Sequence, residues 1–309
     1  MSYKLGNPPS PRPSLNELAD FIEIECLRSS CCSFSVTEVA QQLGVVDDES
    51  TPEDEEFESL EQIRSALSLI EDRKRFSNNR YPFQSSVSSI ECDPACSEYF
   101  KHLYVFLLLS TRENMKDNRL VKDIDGTVLF ERLCAEVLKN FLGEHSASFV
   151  FGTGCADSNQ FFDKLTLMLE SFKEKGYAIT KNPNNKHFKD AGIDVVAFIP
   201  FVDERHGHFV CFAQCKTGTS WEMHLTDLQP AILHDYINPI ITPQPRKLFL
   251  ISDDYQASDW RDKVNQLGGV LFDRCRIMSY VPNELPADLM NAIRVWNEGV
   301  LFRYPLYSH

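Results

Sequence analysis

The sequence has no hydrophobic segment long enough to cross a lipid bilayer, and no signal peptide at its start. The longest apolar run, around Tyr104 to Leu109, is well short of the roughly 20 residues that a membrane helix needs. The first residues are rich in proline and polar side chains, whereas a signal peptide has an apolar core. These absences predict a cytoplasmic protein without a membrane partner.

The chain also lacks the motifs of several common enzyme classes. It contains no Gly-x-Ser-x-Gly nucleophile elbow, and the Gly152 to Gly154 segment has neither the lysine nor the spacing of a P-loop. The spacing of Cys31 with Cys32, and of Cys92 with Cys96, is not that of a zinc finger or ribbon. No motif therefore supports a serine hydrolase or an NTP-driven enzyme, and we expect the cysteines to be reduced, packed thiols.

Basic residues are few relative to acidic ones, and the formal net charge is −14. Because nucleic-acid binding draws its affinity from lysine and arginine, this balance argues against a DNA-binding protein unless its basic residues share one face. The acids are unevenly spread, since nine of them lie in the fifteen residues from Asp47 to Glu61. Without that cluster the chain is only mildly acidic, which a nuclease tolerates.

Two short apolar runs near the middle of the chain carry the most informative polar residues. The first extends from Asp194 to Phe201, and the second extends from His208 to Lys216. Both are rich in β-branched or aromatic residues and are bounded by turn signals, which predicts adjacent buried strands joined by a hairpin. Because side chains alternate along a strand, Gln214 and Lys216 must face the same side.

A polar amide and a lysine on one face of a buried strand indicate that something occupies that face. If Asp194 lies on the same side, a carboxylate, an amide oxygen and an ammonium group converge, and hard oxygen ligands favour Mg²⁺ or Mn²⁺. The lysine would then orient an attacking water and offset charge on a phosphate. The structural alternative is a buried Asp–Lys pair, but the Gln214–Lys216 doublet together with the upstream Asp190 to Asp194 segment favours a site.

At these residues the chain resembles the PD-(D/E)XK nuclease superfamily, and more narrowly its Mrr-like branch, in which Gln replaces the last acid. The resemblance implies that Asp194 binds metal, that Gln214 and the Cys215 carbonyl complete the metal shell, and that Lys216 is the catalytic lysine. It also implies a DNA substrate and Mg²⁺ as cofactor, for which Mn²⁺ substitutes. The sequence departs from the family pattern in lacking a proline before Asp194 and in having Gln at 214.

The family usually contributes one further acid from its first helix, and two helices of this chain compete for that role. Glu131 lies in an amphipathic helix predicted over residues 126–143, and its Phe-Glu pair resembles the starting helix of several restriction-type families. Glu131 is therefore the first choice for a fourth catalytic residue. Asp163, in a helix predicted over residues 158–175, is the alternative.

Three other residues near the motif have both a functional and a structural interpretation. Asp190 could assist at the site or hydrogen-bond to its own turn. His187 could contact a phosphate, although a surface histidine is the simpler interpretation. Trp221 could stack on a base, although packing against the following helix is favoured.

The order of predicted elements agrees with the resemblance. Helices are predicted over residues 126–143, 158–175, 225–237 and 257–267, and strands over residues 148–152, 177–180, 194–201, 208–216, 247–252 and 269–278. The predicted class is α/β, with a restriction-endonuclease-like αβββαβ core in which a mixed sheet is flanked by helices, and an αβ extension.

We divide the chain into four segments. Residues 1–13 are a flexible N-terminus, residues 14–95 resemble a mostly helical winged-helix module, residues 96–123 form a connecting helix, and residues 124–309 form the nuclease domain. In winged-helix domains the third helix enters the major groove, but here its first turns are acidic and would repel phosphates. A protein-interaction or regulatory role is therefore favoured for the N-terminal module.

Together these patterns predict a Mg²⁺-dependent endonuclease that hydrolyses DNA phosphodiester bonds. Its general organisation is similar to prokaryotic enzymes of restriction or anti-phage defence. The chain has no obvious sequence-reading domain, so we expect a protein partner to supply targeting or activation, and an oligomer is compatible with the sequence. The alternative is a degenerate nuclease fold that has lost metal affinity through Gln214 and acts as a scaffold for a partner or nucleic acid.

Overall fold

The computed structural model describes residues 3–6, 9–10, 13–44, 53–152, 158–173, 178–179, 192–203, 205, 207–238, 244–256 and 258–304. Within these ranges the chain is mixed α/β, as the sequence predicts. Its largest sheet has five strands, and smaller regions of strand pairing accompany it.

The N-terminal elements alternate between helices and short strands. They are α1 (Leu15–Arg28), β1 (Ser33–Ser35), α2 (Val36–Gln42), α3 (Glu53–Phe76), β2 (Phe83–Ser85) and β3 (Ser89–Cys92). The strands form an antiparallel sheet in the order β1-β3-β2. Ser14 and Ser35 begin α1 and α2 through capping boxes, in which each serine side chain accepts a hydrogen bond from the amide three residues on.

A buried helix, α4 (Glu98–Arg112), connects these elements to the rest of the chain. All of its residues from Leu103 to Arg112 are buried. The predicted connecting segment 96–123 is helical only to Arg112, and its end pairs as β4 (Leu120–Val121) with β5 (Ile124–Asp125) in a small hairpin. The helix therefore lies inside the molecule and contacts elements from both ends of the chain.

The remaining elements build the main sheet and its covering helices. They are α5 (Gly126–Leu142), β6 (Ala147–Val150), α6 (Ser158–Ser171), β7 (Ala178–Ile179), β8 (Val195–Ile199), β9 (Phe209–Lys216), β10 (Ile237–Asn238), β11 (Arg246–Ile251), α7 (Trp260–Leu267), β12 (Val270–Phe272), α8 (Arg274–Tyr280) and α9 (Ala287–Arg303). The sheet order is β12-β11-β9-β8-β6. Strands β6, β8 and β9 are antiparallel, whereas β9, β11 and β12 are parallel. The predicted mixed sheet flanked by helices is thus confirmed.

Three predicted elements differ from the structure for local reasons. The helix predicted over residues 225–237 is replaced by a 3₁₀ helix, Pro230–Asp235, because proline has no amide hydrogen for an α-helical ladder. The strand predicted over residues 269–278 ends at Phe272, where Asp273 accepts a hydrogen bond from the Arg276 amide at 2.9 Å and caps α8. The short strand β7 pairs with β10 and not with the main sheet.

Two apolar clusters cover one face of the main sheet. The first contains Val196, Phe198, Val210 and Phe212 together with side chains of α6, and the second contains Phe249, Ile251 and Leu271 together with Trp221, Leu225 and Leu267. The opposite face packs on α5 through Val195, Ala197, Cys211, Ala213 and Cys215. Strand β9 contributes Val210 and Phe212 to the first cluster and pairs with β11 of the second, so the end of β9 lies between the two clusters.

A network of fully buried charged side chains joins the N-terminal helices to the end of β11 and to α8. Asp20 of α1 accepts hydrogen bonds from Arg112 at 2.6 Å and from Arg274 at 2.8 and 3.0 Å. Arg73 of α3 lies 2.8 Å from Asp20 and donates to Asp254 at 2.8 Å. Its residues come from both sides of residue 95, the predicted end of the N-terminal module, so the network links that segment to the rest of the chain.

Glu23 of α1 is a further buried acid of this network. It accepts hydrogen bonds from Arg73 at 2.5 Å, from Tyr81 at 2.5 Å and from Tyr104 at 2.9 Å. Burial raises the pKa of Glu23, although Arg73 opposes the change. Burial would also raise the pKa of Asp20, but the charges of Arg274, Arg112 and Arg73 outweigh it and hold that pKa well below its usual range.

We expect the substitution Asp20→Ala to destabilise the protein by about 3–5 kcal/mol, because it leaves three arginines buried without their common partner. Urea unfolding measures the change. The matched control is Asp72→Ala, which removes an exposed i,i+3 pair with Arg75 and should change the stability by about 0.5 kcal/mol or less. Equal effects of the two substitutions would contradict a structural role for the network.

Candidate functional site

The hairpin formed by β8 and β9 brings Asp194 to the strand that carries Gln214. The strand register begins where Val195 pairs with Ala213. The amide of Asp194, which comes just before β8, also donates to the Ala213 carbonyl at 2.9 Å. The two adjacent antiparallel strands that the sequence predicts are confirmed here.

Hydrogen bonds from two neighbouring strands fix the position of Asp194. Its carbonyl accepts from the amides of Phe151 and Gly152 at 2.8 and 3.0 Å, just after β6. Its Oδ2 accepts from the Cys215 amide at 2.7 Å, which fixes one of the two carboxylate oxygens. A Cβ atom on Gly152 would lie 3.1 Å from both Cα and Oδ1 of Asp194, so only glycine leaves this space beside the carboxylate.

Gln214 presents an amide oxygen that the surrounding protein does not satisfy. The residue is 2% exposed, and its buried Oε1 has no hydrogen-bond partner within the described part of the chain. A buried polar group without a partner typically costs about 1–3 kcal/mol. An orphaned oxygen beside a carboxylate fits a hard cation such as Mg²⁺, which takes oxygen ligands.

Lys216 lies two residues beyond Gln214 on the same face, between the two apolar clusters. In the parallel pairing with β11, Gln214 lies beside Phe249 and Lys216 beside Ile251. The side chain is half-buried, and its ammonium group forms no hydrogen bond or ion pair with any residue that the structure describes. Lys247 differs, because its Nζ donates to the Leu225 carbonyl at 2.7 Å. Lys216 therefore keeps its hydrogen-bonding capacity for a ligand.

Helix α5 brings Glu131 toward this part of the sheet from the opposite face. Cys134, one turn after Glu131, hydrogen-bonds to Cys215. Burial raises the pKa of both thiols, and the negative charges of Asp194 and Glu131 act in the same direction. Glu131 thus lies on the α5 side of the sheet, the face to which Cys215 points and not the face of Gln214 and Lys216.

Asp163 is placed differently from Glu131. Its side chain is exposed on α6, whereas Phe161, Phe162 and Leu165 of that helix face the core. Burial therefore distinguishes the two acids, since Glu131 is partly buried on α5 and Asp163 is exposed. The sequence could not make this choice, because each acid lies on an amphipathic helix next to a phenylalanine.

The other residues that the sequence suggests for the site do not add a described ligand. Asp190 and His187 lie outside the described residues. Trp221 is buried, and its Nε1 donates to Asp253 at 3.2 Å, which agrees with the packing interpretation. In the ranges that the structure covers, no three His, Cys, Asp or Glu side chains come together as a metal-binding group. The candidate ligands are therefore two carboxylates, one amide oxygen and the Cys215 carbonyl.

Gly152 contributes to the site, although the sequence patterns did not indicate it. In the sequence, the Gly152 to Gly154 segment is notable only for lacking the features of a P-loop, and nothing shows that this glycine adjoins the carboxylate of Asp194. The position of the glycine at the end of the strand predicted over residues 148–152 was the available signal, since such a glycine often marks a close backbone approach.

No protein-family model, curated protein or solved structure matches this chain. The functional interpretation therefore depends on the residues and their geometry. Within the described residues, no helix combines the length and the apolar character needed to cross a membrane.

We expect Gln214→Met to stabilise the metal-free protein by about 1–2 kcal/mol, because it removes the orphaned oxygen and keeps the length of the side chain. Gln214→Glu should have the opposite effect without metal, since it buries a carboxylate that has no partner there. Thermal unfolding with and without saturating Mn²⁺ measures both changes.

The same experiment tests metal binding independently of any activity. Mn²⁺ should raise the unfolding midpoint most for Gln214→Glu, less for the wild type and least for Gln214→Met. The control is Asp163→Asn, which should respond to Mn²⁺ as the wild type does. An equal shift for the wild type and Gln214→Met would show that Gln214 is not a ligand.

Proposed function

We propose that the chain is a Mg²⁺-dependent endonuclease that hydrolyses DNA phosphodiester bonds, with Mn²⁺ as a substitute cation. One observation carries the proposal. The Asp194 carboxylate accepts a hydrogen bond from the Cys215 amide, and Cys215 is flanked on β9 by Gln214, whose amide oxygen is unpartnered within the described residues, and by Lys216, which shares the face of Gln214. This combination supports the resemblance to the Gln-x-Lys variant of the PD-(D/E)XK nucleases.

Asp194, Gln214 and the Cys215 carbonyl would hold the metal ion, with Glu131 as the further acid. When bound, such an ion polarises the phosphate and lowers the pKa of a coordinated water. The Cys215 amide holds Asp194 Oδ2 in place at 2.7 Å, which orients the remaining carboxylate oxygen. Lys216, with its ammonium group available, would orient the attacking water and offset negative charge that develops on the phosphate.

The order of elements also supports the proposed fold family. Helix α5 is followed in the main sheet by three antiparallel strands, β6, β8 and β9, and by β11, which is parallel to β9, while α6 and β7 are inserted between β6 and β8 and β7 pairs outside that sheet. This order agrees with the restriction-endonuclease-like core that the resemblance implies, although 3₁₀ helices stand between β9 and β11 where that core has an α-helix. The candidate site lies where β8 begins and β9 ends.

For the N-terminal elements we propose a regulatory or protein-interaction role. The order α1-β1-α2-α3-β2-β3 supports the resemblance to a winged-helix module. All four basic residues of α3 already pair with acids: Arg64 with Glu61, Arg73 with Asp20 and Glu23, Lys74 with Asp93, and Arg75 with Asp72. Such a helix offers little net positive charge to DNA phosphates, which favours binding to a protein.

The proposed setting is prokaryotic restriction or anti-phage defence in the cytoplasm, with a protein partner that supplies targeting or activation. The second candidate function is a scaffold that retains the fold without catalysis. Its support is the neutral Gln214 in a position where an acid would bind Mg²⁺ more tightly. Metal-dependent stabilisation distinguishes a nuclease that needs its partner from a scaffold that binds no ion.

We expect purified protein with Mn²⁺ or Mg²⁺ to nick supercoiled plasmid, and Asp194→Asn and Lys216→Ala each to lower the rate by about 100-fold or more. Gel electrophoresis of supercoiled plasmid, linear duplex and single-stranded DNA provides the measurement. The matched control is Lys139→Ala, which removes an exposed lysine two turns after Glu131 on α5. Nicking by Lys216→Ala at the wild-type rate would rule out the catalytic assignment.

A separate comparison identifies the further acid. Glu131→Gln should lower cleavage by about 100-fold, because it removes the carboxylate that the proposal assigns to the metal, whereas Asp163→Asn should leave the rate within about threefold of the wild type. Both substitutions keep the size of the side chain, and thermal unfolding checks that each variant is folded. The reverse ranking of the two rates would assign the role to Asp163.

A further inference from the structure

Three cysteines of the N-terminal elements meet at one end of the β1 and β3 strand pair. The register pairs Ser33 with Glu91, and one further step sets Cys32 opposite Cys92. The Cys92 amide donates to the Cys32 carbonyl at 2.9 Å, so the pairing continues to these residues. Cys26 of α1 lies behind them, and its thiol donates to the Cys32 carbonyl at 3.4 Å.

The three thiols differ in their access to solvent. Cys26 is completely buried, Cys92 is half-buried and Cys32 is exposed. Side-chain hydrogen bonds join the sulfur of Cys92 to the thiols of Cys26 and Cys32. A small oxidant in solution can therefore reach Cys92 and Cys32. Cys26 contacts the Cys92 sulfur from the buried side.

The surroundings of Cys92 favour its thiolate form. The hydrogen bond from Cys26, the hydrogen bond from Cys32 and the charge of Lys101 lower the pKa of Cys92 to about 6, against the opposing effects of burial and of Glu98. The thiolate is the reactive form of cysteine, so the lowered pKa makes Cys92 the attacking thiol of the proposal below, whereas the pKa of Cys32 is raised. Burial raises the pKa of the nearby Cys96 to about 11, so that thiol stays protonated.

We propose that Cys92 and Cys32 form a reversible oxidation site, at which Cys92 reacts with a hydroperoxide and Cys32 closes a cross-strand disulfide. Cys32 precedes β1 with a left-handed backbone (φ 51°), and the bond from the Cys92 amide to its carbonyl holds the two residues side by side with their sulfur atoms in contact. Cys26 also contacts Cys92, but it is fully buried and its thiol lies against the Cys32 and Ile90 carbonyls, whereas Cys32 is open to solvent. Neighbouring Cys31 makes its own contacts with Ser29 and Ser33.

The chemistry has two balanced steps. In the first, the Cys92 sulfur attacks one peroxide oxygen, the O–O bond breaks, and the sulfenic acid forms while an alkoxide or hydroxide leaves and takes a proton. In the second, the Cys32 sulfur attacks the sulfenic sulfur, the S–O bond breaks, and hydroxide leaves with the proton of the Cys32 thiol as water. The pair loses two electrons and the peroxide gains them, and a dithiol reverses the change.

The disulfide would close a loop that contains α2, α3 and β2. Oxidation would therefore restrain the N-terminal elements, for which we propose a regulatory or protein-interaction role. These elements are far along the chain from the proposed nuclease site. The oxidation site does not require nuclease activity, because its chemistry depends on the three thiols and their neighbours alone.

Treating the reduced full-length protein with hydrogen peroxide at neutral pH tests the proposal. We expect the loss of two thiols per chain and a linked peptide pair that contains Cys32 and Cys92, both detected by mass spectrometry and reversed by dithiothreitol. Cys32→Ser should stop at the sulfenic acid, which dimedone traps at Cys92. Cys92→Ser should form no such link, whereas the control Cys31→Ser should form it as the wild type does.

Alkylation of the wild-type protein provides a test that needs no variant. Iodoacetamide should label Cys92 with half-maximal rate near pH 6, since its pKa is about 6, and Lys101→Met should move that midpoint upward. The groups that set the midpoint are Cys26, Cys32, Lys101 and Glu98. Labelling of Cys92 no faster than Cys96 at neutral pH, or a peroxide-induced link that omits Cys92, would overturn the proposal.

Discussion

The carboxylate of Asp20 holds three arginines that come from three separate elements, Arg73 of α3, Arg112 of α4 and Arg274 of α8. None of these charges is tolerable in the interior without its partners, so the elements that carry them must assemble together. Helix α4, which carries Arg112, also contacts the chain next to the candidate site. The Ser110 carbonyl accepts a hydrogen bond from the amide of Gly218, two residues after Lys216, and Thr111 hydrogen-bonds to Ser252 at the end of β11.

The candidate site contrasts with this network. In the network nearly every buried charge has a partner of opposite sign, whereas the site leaves an amide oxygen of Gln214 unsatisfied and an ammonium group of Lys216 without a described partner. Natural proteins depart from local rules of this kind mainly at functional positions. Hydrogen bonds from Phe151, Gly152 and Cys215 also fix the position of Asp194. A functional site needs such support, because its groups must be in place before the ligand binds.

Sequence alone could predict much of the sheet, because β8, β9 and β11 are short, apolar and bounded by turn residues. It could also place Gln214 and Lys216 on one face, since that follows from the period of two. It could not fix the register that pairs Val195 with Ala213, because a slip of one residue would move every side chain of β8 to the other face. The ion network was beyond prediction, since Asp20 and Arg274 are 254 residues apart and neither has a local pattern. The helix predicted over residues 225–237 failed at Pro230, which has no amide hydrogen, and the strand predicted over residues 269–278 ended where Asp273 caps α8. An apolar pattern reveals neither effect.

The contacts of Asp20 with Arg274 also determine how this protein can be divided or recombined. A fragment that begins after residue 95 would keep Arg112 and Arg274 but lose Asp20, Glu23 and Arg73, so its core would contain cations without their anions. A foreign N-terminal segment could replace the native one only if it supplied the same charges at the same places. A change in the specificity of either part is therefore more easily reached by altering its surface than by exchanging the whole part.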